Sequence, residues 1–181
     1  VRRSILLDSK ADLLAFGMGE RTILEIAKGF AAGKTVRDMR TLRGVAYRLG
    51  ASESFSIDGS TRELPAYELT KVDNDAFCEM TRISHLETNP HNAKRLVQRH
   101  GPEAVVINPP ALPLEEHEMD RVYALPFTRR PHPQYGAQRI PAFEVVENSI
   151  QIMRGCFGGC TFCSITAHEG RIIQSRSKQS I

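Results

Sequence analysis

No run of about 18 apolar residues occurs anywhere in the chain, which excludes a membrane-spanning helix. The opening stretch VRRSILLDSK also lacks the long apolar core and small-residue cleavage site of a secretory signal, so a soluble, cytoplasmic protein is the expectation. Charge of one sign is barely in excess: 24 Lys and Arg against 21 Asp and Glu leave a formal +3 over 181 residues. That is too slight to draw nucleic acid or an anionic membrane by itself. Cysteine is scarce too, four in all, and so few in a chain this long do not make a disulfide scaffold. Reduced thiols in a reducing compartment follow from that.

Two common phosphate-binding motifs are incomplete. Gly17-x-Gly19 follows an expected strand, but position 22, where a dinucleotide fingerprint needs its third glycine, is threonine. The stretch reads as a tight turn with Glu20 at a helix N-terminus, where a carboxylate is favoured. Gly33-Lys34-Thr35 matches the end of a phosphate loop, but Lys28 stands where the first glycine belongs, and the segment follows a helix instead of opening one.

What is present is ordinary globular composition, 41% hydrophobic and 25% charged, enough to bury a real core. SILLDSKADLLAF holds two short apolar runs, the second leading through GMGE into apolar positions Ile23, Leu24, Ile26, Ala27, Phe30 and Ala31: strand, glycine turn, amphipathic helix. A short helix and a strand follow, up to a turn near Gly50. Within 51–64, SFSIDGSTREL predicts a hairpin turning at Asp58-Gly59. Phe77, Met80, Ile83 and Leu86, then Ala93, Leu96 and Val97, predict two helices over 67–99, separated at Asn89-Pro90. AVVINPPALPL reads as a strand ended by Pro109-Pro110. Five further prolines up to Pro141 predict an extended, non-helical connector over about 104–142, and FEVVENSIQIM predicts a strand over 143–153. Cys78, beside Phe77 on a helical pattern, reads as a small buried apolar side chain. Arg129, Arg130 and His132 offer charge to an anionic partner or pair with acids at the surface.

The chemistry is concentrated in RGCFGGCTFC, residues 154–163, which holds three of the four cysteines. If residues 160–163 enter a helical turn, Cys160 and Cys163 stand about 5–6 Å apart on one face. Cys156 must curl back to meet them, although the intervening chain would span about 23 Å extended. Gly155, Gly158 and Gly159 permit that curl. Crowded thiolates repel, so the spacing makes sense around a cation or an iron cluster. Zinc would need a fourth ligand, His168 or the distant Cys78, and neither completes a familiar zinc pattern. A cubane cluster held by three thiolates leaves its fourth iron open to an outside ligand. Spacing leaves three alternatives: an iron–sulfur cluster, a non-catalytic zinc module at Cys156, Cys160, Cys163 and His168, and a buried or redox trio without metal.

Cys156-x3-Cys160-x-Phe162-Cys163 resembles the radical S-adenosylmethionine (SAM) signature, and RGCFGGCTFCSITAHEGRIIQSRS, LPFTRRPHPQYG and the opening VRRSILLDSKADLLAFGMGE are similar to the YgiQ family of radical SAM proteins. The resemblance implies that Cys156, Cys160 and Cys163 bind a 4Fe-4S cluster, that Phe162 lies near the adenine of SAM, and that an electron donor such as a flavodoxin or ferredoxin serves the cluster. It implies an α/β fold, with residues 1–142 as the later part of an N-terminal domain of cobalamin-binding type and 143–181 as the start of a radical SAM β/α barrel. No histidine in the first fifty residues offers a lower ligand to cobalamin. Valine stands first, and SRSKQSI stops where a Ser-capped helix would begin, so a fragment of a longer enzyme is expected, its substrate chosen by parts of the barrel not present here.

Overall fold

The computed structural model describes all residues, 1–181. In chain order the elements are α1 (Ile5–Ser9), β1 (Leu13–Ala15), α2 (Glu20–Ala31), α3 (Val36–Met39), β2 (Val45–Leu49), β3 (Thr61–Leu64), α4 (Tyr67–Thr70), α5 (Asn74–Leu86), β4 (Arg95–His100), β5 (Glu103–Ile107), α6 (Glu116–Tyr123), a 3-10 turn at Pro133–Tyr135, α7 (Pro141–Val146), β6 (Met153–Arg154), α8 (Ile165–His168) and β7 (Gln174–Ser175). They divide into two compact units: Val1–Pro113 with Gly155–Ile172, and Leu114–Arg154 with Ile173–Ile181.

The first unit is an α/β structure built on a five-stranded mixed sheet, order β1-β2-β5-β4-β3, antiparallel except for the parallel β3–β4 pair. The apolar run in β5 is explained by its central place. Val105 packs with Ala46, Leu6 and Leu7 on one face, and Val106 with Val97 and Leu49 on the other, so neighbouring residues are both buried. Leu96 joins Leu64 and Ile83 of α5 on the first face. Burying each such side chain contributes roughly 1.5–3 kcal/mol.

Expectations for this unit change at several points. Residues 95–100 form a strand, not a second helix: Leu96 and Val97, adjacent in sequence, are buried on opposite faces, which strand alternation achieves and a 100° helical step does not. The return from α5 to β4 is tied by the buried Glu87 carboxylate, which accepts from the Lys94 N–H at 2.6 Å and pairs with Arg62 at 2.7 Å. The hairpin over 51–64 is absent. Asp58 does form the turn, accepting from the Ser60 N–H at 2.8 Å, but Thr61–Leu64 pairs in parallel with β4 instead of folding back on its own neighbour. Cys78 is exposed, because the buried positions of α5 are Ala76 and Ile83 and Cys78 lies about 200° around the helix from Ala76. The run over 4–9 is the short helix α1, and only Leu13–Ala15 is the strand before the glycine turn.

Gly44 shows why the entry into β2 needs glycine. Its φ is 69°, its N–H donates to the Pro109 carbonyl at 2.8 Å, and a Cβ there would lie 2.8 Å from the Thr22 hydroxyl oxygen.

The second unit is helical where an extended connector is expected. Pro141 opens α7 and Pro133 opens the 3-10 turn, the first helical positions where the missing N–H costs nothing. α6 fits between Pro113 and Pro126 and starts with a capping box between Glu115 and Glu118. FEVV is therefore helix, and of the strand expected over 143–153 only Met153–Arg154 exists, paired antiparallel with β7. The final residues form a turn that Ser177 caps, the Ser180 N–H donating to the Ser177 carbonyl at 3.1 Å and to its hydroxyl at 3.2 Å. Met119 is fully buried and Leu114 nearly so; Arg176 is stacked 4.7 Å over the Tyr123 ring and bonded to the Gln151 carbonyl at 2.9 Å.

No helix of the chain is long and apolar enough to cross a membrane.

Candidate metal centre in the cysteine loop

The cysteine loop is closed at its base by the residues that follow α8. The Gly155 N–H donates to the Glu169 carboxylate at 2.9 Å, and the Cys156 N–H donates to the Gly170 carbonyl at 3.1 Å. Gly155 has φ 88°, and a Cβ on it would stand 2.3 Å from the Ile172 carbonyl oxygen. No other residue fits there without moving backbone. The two strands of the loop base therefore touch main chain to main chain, which a side chain at 155 would prevent.

Past the base, glycine again decides the course of the chain. The Gly158 N–H points at the Cys156 sulfur, 3.4 Å away. A Cβ on Gly158 would lie 3.4 Å from Cys156 Sγ and 3.7 Å from Cys160 Sγ, so these two sulfurs face one bare Cα. The Cys163 N–H donates to the Cys160 carbonyl at 3.1 Å, which makes the expected tight turn, and α8 begins directly after it. Cys156 and Cys163 are half-buried and Cys160 is exposed; all three are free thiols. Phe162 is 91% exposed.

The donor chemistry fits a thiophilic metal or cluster: three reduced sulfurs on one open loop, two of them turned to the same point. As free thiols they are not drawn into one cage of three, nor does His168 or Cys78 join them. Free thiols form no bond with one another that would gather them; metal binding and the ordering of its ligands occur together.

Spacing alone did not reveal what braces the loop. Glu169 and Gly170 carry the two hydrogen bonds at the base, and Arg171 lies beside the loop, its Nη2 at 3.7 Å from where a Gly159 Cβ would sit. The same guanidinium donates to His85 Nε2 on α5. The signal was there as EGR, an acid, a glycine and a cation in a row straight after the short helix, although nothing in the spacing says that they fold back on residue 155.

The incomplete phosphate motifs have structural roles. Gly17 takes φ 68° in the turn before α2. Thr35 caps α3: its N–H donates to the Asp38 carboxylate at 2.7 Å and its hydroxyl accepts from the Asp38 N–H at 3.4 Å. The hydrogen bonds from Thr35 hold the Asp38 carboxyl below the usual carboxylate range. His132 Nδ1 accepts from the Gln134 N–H at 3.2 Å and starts the 3-10 turn.

The sequence model of the family described as Radical SAM N-terminal matches residues 1–149. The chain belongs to the radical SAM N-terminal family. Among relatives of this radical SAM chain, a UPF0313 protein of Geobacter sulfurreducens is 50% identical over 181 residues, covering all of this chain and 29% of that protein. One from Bradyrhizobium diazoefficiens is 48% identical over 198 residues with the same coverage, and the UPF0313 protein YgiQ of Escherichia coli is 42% identical over 233 residues, covering all of this chain and 32% of YgiQ. The chain thus spans under a third of the length of these relatives. No solved structure matches it. The resemblance to YgiQ drawn from the cysteine motif and its flanks is borne out, and so is an α/β domain of the kind that precedes a radical SAM barrel.

Proposed function

We propose that the chain carries the cluster loop of a radical SAM enzyme of the YgiQ type, with Cys156, Cys160 and Cys163 as thiolate ligands of a 4Fe-4S cluster and Phe162 beside the SAM adenine. One observation carries the reading: three free thiols at the signature spacing sit on a loop hydrogen-bonded shut at its base, in a chain of the radical SAM N-terminal family. When bound, such a cluster supplies the electron that cleaves SAM to methionine and a 5′-deoxyadenosyl radical, which abstracts hydrogen from substrate.

The chain's own residues do the holding. Gly155 lets the loop base close, Glu169 and Gly170 fix its first two amides, and Gly158 leaves room between two sulfurs. Arg171 places its guanidinium beside the loop at Gly159. In this reading residues 1–142 are the N-terminal domain and 143–181 open the barrel, and a flavodoxin- or ferredoxin-type protein delivers the electron.

The test uses the full-length polypeptide that contains this chain, reconstituted anaerobically with iron and sulfide, then given dithionite and SAM. Cluster absorption and 5′-deoxyadenosine are expected, both lost in Cys160→Ala. A wild-type protein with no cluster absorption, and no 5′-deoxyadenosine above the Cys160→Ala background, removes the proposal.

A further inference from the structure

The unit formed by Leu114–Arg154 and Ile173–Ile181 contains an open cavity of about 360 Å³ that the cluster reading does not use. Its lining is of two kinds. Phe143, Val146 and Ile150 offer apolar surface, while Arg129, Arg130 and Arg176 bring three guanidinium groups against the single carboxylate of Glu147. Three positive charges less one negative leave the lining at +2.

Arg176 is 8% exposed and rigidly held. Its Nε donates to the Ser180 hydroxyl at 3.0 Å, its Nη1 to the Gln151 carbonyl at 2.9 Å and its Nη2 to the Ser180 carbonyl, with the Tyr123 ring beneath it. None of these partners carries charge. Asp120, which feels Arg176 from further off, is committed to the Ser177 N–H at 2.9 Å. A buried cation is thus fixed by neutral groups, and its field is left to act on the cavity.

Arg129 and Arg130 are exposed and form no ion pair. Arg129 also has φ 54°, in the left-handed region where a non-glycine side chain is strained. Strain of this kind gathers at sites where a side chain must be presented in one direction.

We propose that this cavity binds a phosphomonoester with an apolar or aromatic body. Such a group carries close to two negative charges at neutral pH, matching the lining charge. Guanidinium forks suit phosphate oxygens, and Phe143, Val146 and Ile150 seat the body, in a volume at the lower end of small-molecule sites. The proposal does not depend on the cluster.

Calorimetric titration of phenyl phosphate into the full-length polypeptide at low salt tests it. Saturable binding is expected, weakened about tenfold or more in Arg130→Ala and in Arg129→Gly. Arg129→Gly also relieves the backbone, so its thermal unfolding midpoint should hold or rise while affinity falls; that separates contact with the ligand from damage to the fold. No saturable heat, or unchanged affinity in both variants, overturns the site. Benzoate binding as tightly as phenyl phosphate overturns the dianion, and inorganic phosphate binding as tightly overturns the apolar body.

Discussion

The sheet unit and the unit around α6 and α7 are ordered by different means. In the first, Val45, Val97 and Val106 are fully buried and the sheet is covered on both faces. In the second, Met119 is the one fully buried apolar side chain, Val145 is 83% exposed, and much of the order comes from Arg176, Tyr123, Asp120 and Gln151 holding each other through polar and ring contacts. Apolar burial tolerates exchange among side chains of similar volume, whereas a network built on one arginine fails at that residue.

Substitutions separate the two modes, and the largest effect belongs to the sheet. Val97→Asp buries an unpaired carboxylate in the core face formed with Leu49 and Val106; loss of about 4–5 kcal/mol or more, seen as an insoluble or unfolded protein by circular dichroism, is expected. Met119→Ala removes the one fully buried apolar side chain of the second unit and should cost about 2–5 kcal/mol in denaturant unfolding. If it leaves stability unchanged, apolar burial plays no part in that unit and the comparison sharpens. Gly155→Ala meets the Ile172 carbonyl and a positive φ at once; about 2 kcal/mol is expected, with loss of iron on reconstitution even though all three cysteines remain.

A smaller effect tracks pH. His100 is buried, stacked at 4.9 Å on Tyr67, and neither ring nitrogen has a partner. Burial pushes its pKa below the ordinary 6.5, against the pull of Glu68, Glu103 and Asp8 and with a small push from Arg3. The folded state therefore binds the proton less readily than the unfolded one. Stability is full above about pH 6.5 and falls as pH drops below it, with a slope no greater than about 1.4 kcal/mol per pH unit for one proton. His100→Phe should flatten this part of the urea-midpoint profile between pH 7 and 5. Smallest of all, Val145→Ser at an exposed site should change stability by less than about 0.5 kcal/mol; a larger loss would mean that the exposed face of α7 is covered in the full-length protein.

Much of the sheet was legible in advance because its signals are local. The β-branched run of β5, its stop at Pro109-Pro110 and the periodicity of α5 each act within a few residues. β4 was not, and β3 was given the wrong partner, because the two pair in parallel with each other across α4 and α5, a partnership that no short window shows. The second unit was misread for a specific reason: proline was taken as a breaker, while Pro133 and Pro141 stand at the start of helical turns where they are favoured. At the site, the cysteine spacing and the glycines between them were readable, and the sharp turn from Cys160 to Cys163 is present. The brace from Glu169, Gly170 and Arg171 was not, since it joins residues about fourteen positions apart through one side chain and one main-chain carbonyl, with Arg171 set beside them.

The closure at Gly155 gives the stretch from Cys156 to Glu169 the character of an Ω-loop, its ends held together before anything binds. The entropy of bringing those ends together is lost on folding and is not charged against the ligand. What remains for an incoming cluster is to gather a few side chains on an anchored arc. Lengthening the arc by a residue should therefore disturb ligation far less than opening its clasp.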